Sequence, residues 1–338
     1  LKKKKRKKKK RRMNETTGQS CNTIVEFEQN QRQAYTNKSV QIVFLLNGCA
    51  GMLIALILII LIRKRKGHRA DLTLLEGCSA GTFLMSCSRV LVSAQRLKQL
   101  NEKVKMITSV QCLALRLDFP LAIVGEYMLH LDMLFLSIER LFYFVGVEKH
   151  RRCFSVRNCR YLTLFSMLVA MANMIICYGV VLSKSNYCVP SYCPRTTFMT
   201  FTHFIIHLTI TILLVTVDIV FYMIALLVHH FRNKVQKLNS LRRMQDAKER
   251  TVFHGMVFAW FVIFTMKMIP WISYFVSYFN AEAVDLLVAA QILDNLFMPI
   301  SSLLYLLIHP DLGRHCKAAL ARFAFFHSTK NTSVVYIG

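Results

Sequence analysis

Seven stretches of this chain are apolar over 20 residues or more, and that feature limits its folds more than any other. Lipid offers backbone N–H and C=O groups no partners, so a segment that crosses it must close its hydrogen bonds internally, as a helix of about 20 residues does. The spans expected are residues 41–62, 70–95, 109–144, 161–182, 201–228, 252–279 and 286–308. A mean hydropathy of +0.38, with 54% hydrophobic and 18% charged residues, agrees and argues against a water-soluble globule. The expected fold class is an all-α membrane protein, a seven-transmembrane helix bundle ending in a short amphipathic helix.

The second and third spans are the polar ones. Asp71, Glu76 and Arg89 lie in one, and Arg116, Asp118, Glu126, His130 and Asp132 in the other. Ionisable groups are too costly against lipid, so both helices should turn these faces inward, with the third at the centre.

Net charge is +26, but residues 2–12 alone carry eleven Lys and Arg. That block is expected to be sequence upstream of Met13 and not part of the fold, and the remaining basic residues alternate with apolar runs. Nucleic acid is therefore not an expected partner. Counted over the loops, 21 Lys and Arg fall on one side and eight on the other. The positive-inside bias then places residues 13–40 outside, the domain 41–308 in the plasma membrane, and the tail 309–338 in the cytoplasm.

This topology sorts the cysteines. Cys21, Cys112, Cys188 and Cys193 fall outside, where disulfides persist, and Cys112 is expected to join Cys188 or Cys193. Asn14 and Asn37 head external sequons and are glycosylation candidates. In the tail, Leu312, Cys316, Leu320 and Phe323 recur at helical spacing, so this segment should lie on the inner membrane surface with Cys316 placed for lipidation.

At the inner end of the third span stands Ser137-Ile138-Glu139-Arg140-Leu141, followed by a basic loop. Pro270 lies in the sixth span, Pro299 in the seventh beside Asn295 and Tyr305, and His309-Pro310-Asp311-Leu312-Gly313-Arg314 comes directly after it. With seven spans, an outside N-terminus and a cysteine at the top of the third helix, the chain resembles the rhodopsin-like G-protein-coupled receptors. In style it is similar to the nematode chemoreceptors. Two motifs depart from the family: Lys267-Met268-Ile269-Pro270 stands where it has Cys-Trp-x-Pro, and Met298-Pro299 where it has Asn-Pro.

The resemblance implies a chemosensory receptor with two partners besides membrane lipid, a small-molecule ligand and a heterotrimeric G protein. It implies no catalysis and no cofactor or metal. Arg140 would be the coupling switch, its head facing water and its resting carboxylate supplied by Glu139 or Glu249. Lys267, mid-span, needs a carboxylate from Asp294, Glu126 or Asp118, and with Glu126, His130, Asp294 and Trp271 it makes the candidate ligand pocket. His203 and His207 lie at i and i+4 but lack a third metal ligand, so polar contacts are expected of them. The alternative reading is a polytopic transporter or channel, which paired repeats in two halves of the chain would favour.

Overall fold

The computed structural model describes residues 37–64, 69–100, 106–183, 188–191, 193, 201–235 and 284–308, together with 257–258, 261–262, 264–273, 276 and 313. The helices are α1 (Lys38–Lys64), α2 (Ala70–Gln99), α3 (Ser109–Leu115), α4 (Asp118–Val145), α5 (Val147–Cys153), α6 (Val156–Ser183), α7 (Phe201–Val235), α8 (264–273) and α9 (Val284–Ile308). Five described helices are long and apolar enough to cross a membrane: α1, α4, α6, and the parts Ile205–Val228 of α7 and Val288–Leu307 of α9. The chain is an all-α membrane protein.

Which helices face lipid can be read from their side chains. α1, α6 and α7 leave large hydrophobic residues exposed, among them Leu46, Leu53, Ile175, Ile176 and Leu213. In water such surfaces would be an aggregation hazard; in a bilayer they are the solvated face. α4 is the reverse, with 72% of its apolar window buried. It packs against α2, α6 and α7, while α1 lies on α2 and α9. α4 thus sits inside, and α2 turns Asp71 inward, whereas Glu76, expected to face inward as well, is half-buried and pairs with the exposed Arg63 of α1.

The closest approach is between α2 and α4. A Cβ on Gly81 would come within 2.8 Å of the Gly125 carbonyl oxygen and the Leu129 nitrogen, and one on Gly125 within 2.7 Å of the Gly81 oxygen. Small residues permit such backbone contact, through which helices in lipid gain dispersion energy that burial from water cannot give them. Gly77, one turn earlier on α2, leaves room for the Asp132 carboxylate, which accepts a hydrogen bond from Ser166 of α6 at 2.8 Å.

The expected third span is corrected in one respect. The chain is not helical from 109 to 144 but breaks between α3 and α4 at Arg116 and Leu117. Pro120 supplies the reason: a continuous helix would drive its ring into the Arg116 carbonyl, whereas proline is tolerated in a first turn. Thr108 caps α3 in a capping box with Gln111. α1 begins at Lys38, and not at 41, with Asn37 Oδ1 accepting from the backbone N–H of Ser39 at 3.0 Å.

Cys112 on α3 is bonded to Cys193, which decides between the two partners the sequence left open. Cys188 is disulfide-bonded as well. Cys21, its external candidate, lies outside the described residues. Around these bridges β1 (Met106–Thr108) pairs antiparallel with β2 (Cys188–Pro190), Ile107 opposite Val189. Cys193 takes a positive φ of 48°, and Arg116 reaches its carbonyl from below. The bridge spans 81 residues of sequence, so Cys112→Ser with Cys193→Ser should cost about 2–4 kcal/mol. Flow cytometry of tagged protein should show a lower surface level, while Cys159→Ser, which touches neither bridge, should match the parent.

Candidate functional site

Two polar assemblies lie at opposite ends of α4. The first is a cavity of about 130 Å³ near the disulfide end, lined by α1, α2, α4, α7, α8 and α9. Lys267 projects from α8 and donates to Asp294 of α9 at 2.9 Å; Asp294 is the first of the three partners considered from sequence. Arg89 of α2 donates to the other Asp294 oxygen, so one carboxylate holds two cations. The Lys267 ammonium also sits 4.3 Å from the Phe297 ring centre. Lys267 and Asp294 are both buried, so this network lies away from lipid.

Acids of α4 complete the wall. Arg116 and Asp118 form a bidentate pair with both distances at 2.6 Å. Glu126 lies 3.6 Å from His207 of α7, whose other ring nitrogen is 3.1 Å from the Tyr127 hydroxyl. Trp271 and Gln291 close the rim. Arg89, Arg96, Arg116 and Lys267 face Asp118, Glu126 and Asp294 in one small space, an excess of one positive charge when all are ionised.

Of the expected pocket residues, Glu126, Lys267, Asp294 and Trp271 line this cavity and His130 does not. His130 is buried beneath it, with Nε2 lacking a hydrogen-bond partner among the described residues. The i, i+4 spacing puts His203 and His207 on one face of α7, but they turn to different helices. His203 meets Cys177 of α6 at 3.0 Å. Sequence reasoning missed Arg89 and Arg116 as pocket residues, although their place in polar spans marked both as inward-facing.

The second assembly is at the Lys/Arg-rich end. Arg140 Nη2 donates to Asp71 Oδ2 at 2.6 Å, and its Nε lies 3.3 Å from Glu139 Oε2. Asp71 also takes both donors of Arg69, at 2.8 and 3.1 Å, and Glu139 is 2.7 Å from the His150 ring on α5. Arg140 therefore ties α4 to the first turn of α2. It is 9% exposed, which corrects the expectation of a head in water: the guanidinium is buried between two carboxylates.

Glu139 lies beside Arg140, and the second carboxylate is Asp71. Nothing in the local pattern around residue 71 pointed to Arg140, 69 residues away. Glu249, Asn14 and Cys316 lie outside the described residues, as does the amphipathic tail apart from Gly313. Asn37 is exposed and carries the α1 cap.

No protein-family model matches this chain, and no curated protein matches it either.

Proposed function

We propose that the chain is a seven-span receptor of the rhodopsin-like, G-protein-coupled kind, with its N-terminus outside the plasma membrane. In this reading 70–95 and 252–279 are the two spans beyond the five apolar ones. The reading has a small acidic ligand enter the cavity and a heterotrimeric G protein meet the basic end. One observation carries it: a single buried helix, α4, forms a wall of the cavity at Asp118, Ala122 and Glu126 and bears the locked Arg140 at its other end. Glu126 and Arg140 are 14 residues apart, about 21 Å along a helix. A ligand that favours one setting of α4 thereby favours one state of the lock.

The charge of the cavity supports the ligand class. Asp294 is shared by Lys267 and Arg89, so an incoming carboxylate can take Lys267 and leave Asp294 with Arg89. The size supports a small compound. A cavity of about 130 Å³ suits a short-chain acid. Asp118 is committed to Arg116, and Glu126 lies beside His207.

The test is nucleotide exchange by purified G proteins on liposomes carrying the chain, over a panel of short carboxylic acids. Exchange stimulated by an acid and not by its amide is the expected result. Uptake of the acid into liposomes without any G protein would favour the transporter instead.

Within this reading Lys267→Met should move the half-maximal acid concentration up by thirtyfold or more, since truncating one partner of a buried charge pair costs roughly 2–5 kcal/mol. Surface level should stay near the parent's, because Asp294 keeps Arg89. Asp294→Ala should instead lower surface level by leaving the buried Lys267 without its carboxylate. Equal responses in the Lys267 variant and the parent, read as dose-response curves in the same cells, would remove Lys267 from the ligand site.

A further inference from the structure

A second cavity, of about 460 Å³, opens at the Lys/Arg-rich end between α1, α2 and α6, with α4 as its floor. Its mouth carries three guanidinium groups, Arg63 of α1, Arg69 at the start of α2 and Arg160 of α6, with Glu76 beside Arg63 and Asp71 beside Arg69, whose side chain is half-exposed. Arg63 is paired with Glu76 at 2.6 Å but is 72% exposed, so that pair is open to exchange. Arg160 is exposed and has no ion-pair partner among the described residues. Along α2 the lining continues past Thr73 and Gly77 to Ala80, with Met128 of α4 and Thr163 of α6.

The lateral wall is α2 itself. Thr73, Glu76, Ala80 and Phe83 are its half-buried positions at helical spacing, between α1 and α6, which both present exposed apolar residues to the bilayer. Arg69 to Ala80 is eleven residues, about 16 Å of helix rise, and one leaflet of hydrocarbon is about 15 Å thick. The cavity thus runs from headgroup level to the midplane, basic at the surface and apolar within.

We infer that this cavity is a binding site for one anionic phospholipid, its phosphate held by Arg63, Arg69 and Arg160 and an acyl chain laid along Ala80 and Met128. Guanidinium forks suit phosphate oxygens bidentately, and the phosphate would draw Arg63 from Glu76. A free phosphate could use the mouth but would leave the inner end unfilled, which is why a lipid is the occupant assigned. The inference rests on the membrane reading and not on coupling to a G protein, so either can fail alone.

The full chain in neutral detergent is titrated with dioleoyl phosphatidylinositol 4-phosphate and, separately, with dioleoyl phosphatidylcholine and with soluble inositol 1,4-bisphosphate. A raised Tm and lipid adducts in native mass spectrometry are expected with the first alone. Equal shifts with phosphatidylcholine, or with the soluble bisphosphate, would overturn the assignment. Arg63→Gln with Arg160→Gln should weaken retention of the phosphoinositide about thirtyfold, from the usual worth of two basic residues at an anionic surface, while the lipid-free Tm stays put. Should that variant not fold, Ala80→Phe fills the inner end with the charges intact and should also reduce retention. Retention equal to the parent's in whichever variant folds overturns the site.

Discussion

Asp71→Asn should raise nucleotide exchange in the absence of ligand, and Arg140→Ala should abolish exchange with or without it. Arg140 has one close carboxylate oxygen, Asp71 Oδ2 at 2.6 Å, and a looser one on Glu139 at 3.3 Å, which the proposed receptor would hold in its resting state. Removing the Asp71 charge leaves the looser contact. A charge-assisted hydrogen bond is worth about 1.5–3 kcal/mol, so the balance between locked and released states should move by tenfold or more. Arg69 loses this carboxylate's charge too, but it is half-exposed and water can take over.

Arg140→Ala removes the group that is exchanged and also leaves Glu139 and Asp71 buried beside it, so its surface level should fall. Asp71→Asn with Arg140→Ala separates the two effects: it should recover surface level without recovering exchange. The readout is basal and ligand-driven nucleotide exchange normalised to surface protein. Asp71→Asn membranes with parental basal exchange would show that this ion pair is only a tie between α2 and α4.

Gly125→Leu should abolish surface expression. The Gly81 oxygen and the Met85 nitrogen lie 2.7 and 2.8 Å from where its Cβ would be, and both are backbone atoms that no rotamer change can move. α2 and α4 would have to separate, losing the crossing that sets Asp71 against Arg140 and Arg89 near Asp294. Overpacking commonly costs 1–3 kcal/mol, and a backbone clash in the central helix pair should exceed about 3 kcal/mol. Gly179→Leu on α6, where nothing lies within 4 Å, is the control and should express like the parent. Surface levels by flow cytometry and thermal stability in detergent read both. Comparable expression of the two variants would mean that the α2–α4 approach is looser than described here.

Much of this arrangement was legible in the residues. Apolar runs gave α1, α6, α7 and α9, though α6 begins at Val156 and not 161 and α7 runs to Val235 and not 228. Crossing lipid leaves a chain one conformational option and a minimum length but does not stop a helix at the membrane surface. The inward turn of the polar α2 and α4 followed from the cost of charge in lipid, and so did a carboxylate for Lys267. The break at Arg116 was also written in the sequence, as Pro120, but the apolar run around it concealed the signal.

Pairings between distant positions were decided elsewhere. Asp71 and Arg140, Arg89 and Asp294, and Cys112 and Cys193 each meet because of how the helices are rotated and stacked, which depends on Gly81 and Gly125 fitting backbone to backbone. A sequence states that an intramembrane charge needs a partner, since solvation energy is local to the residue. It does not state which partner, since that depends on packing among side chains far apart in the chain. The sequence by itself therefore determined the helices and the inward direction of their polar faces. Only the tertiary structure decided that Asp71 would hold Arg140, that one carboxylate would serve two cations, and that three arginines would share one mouth.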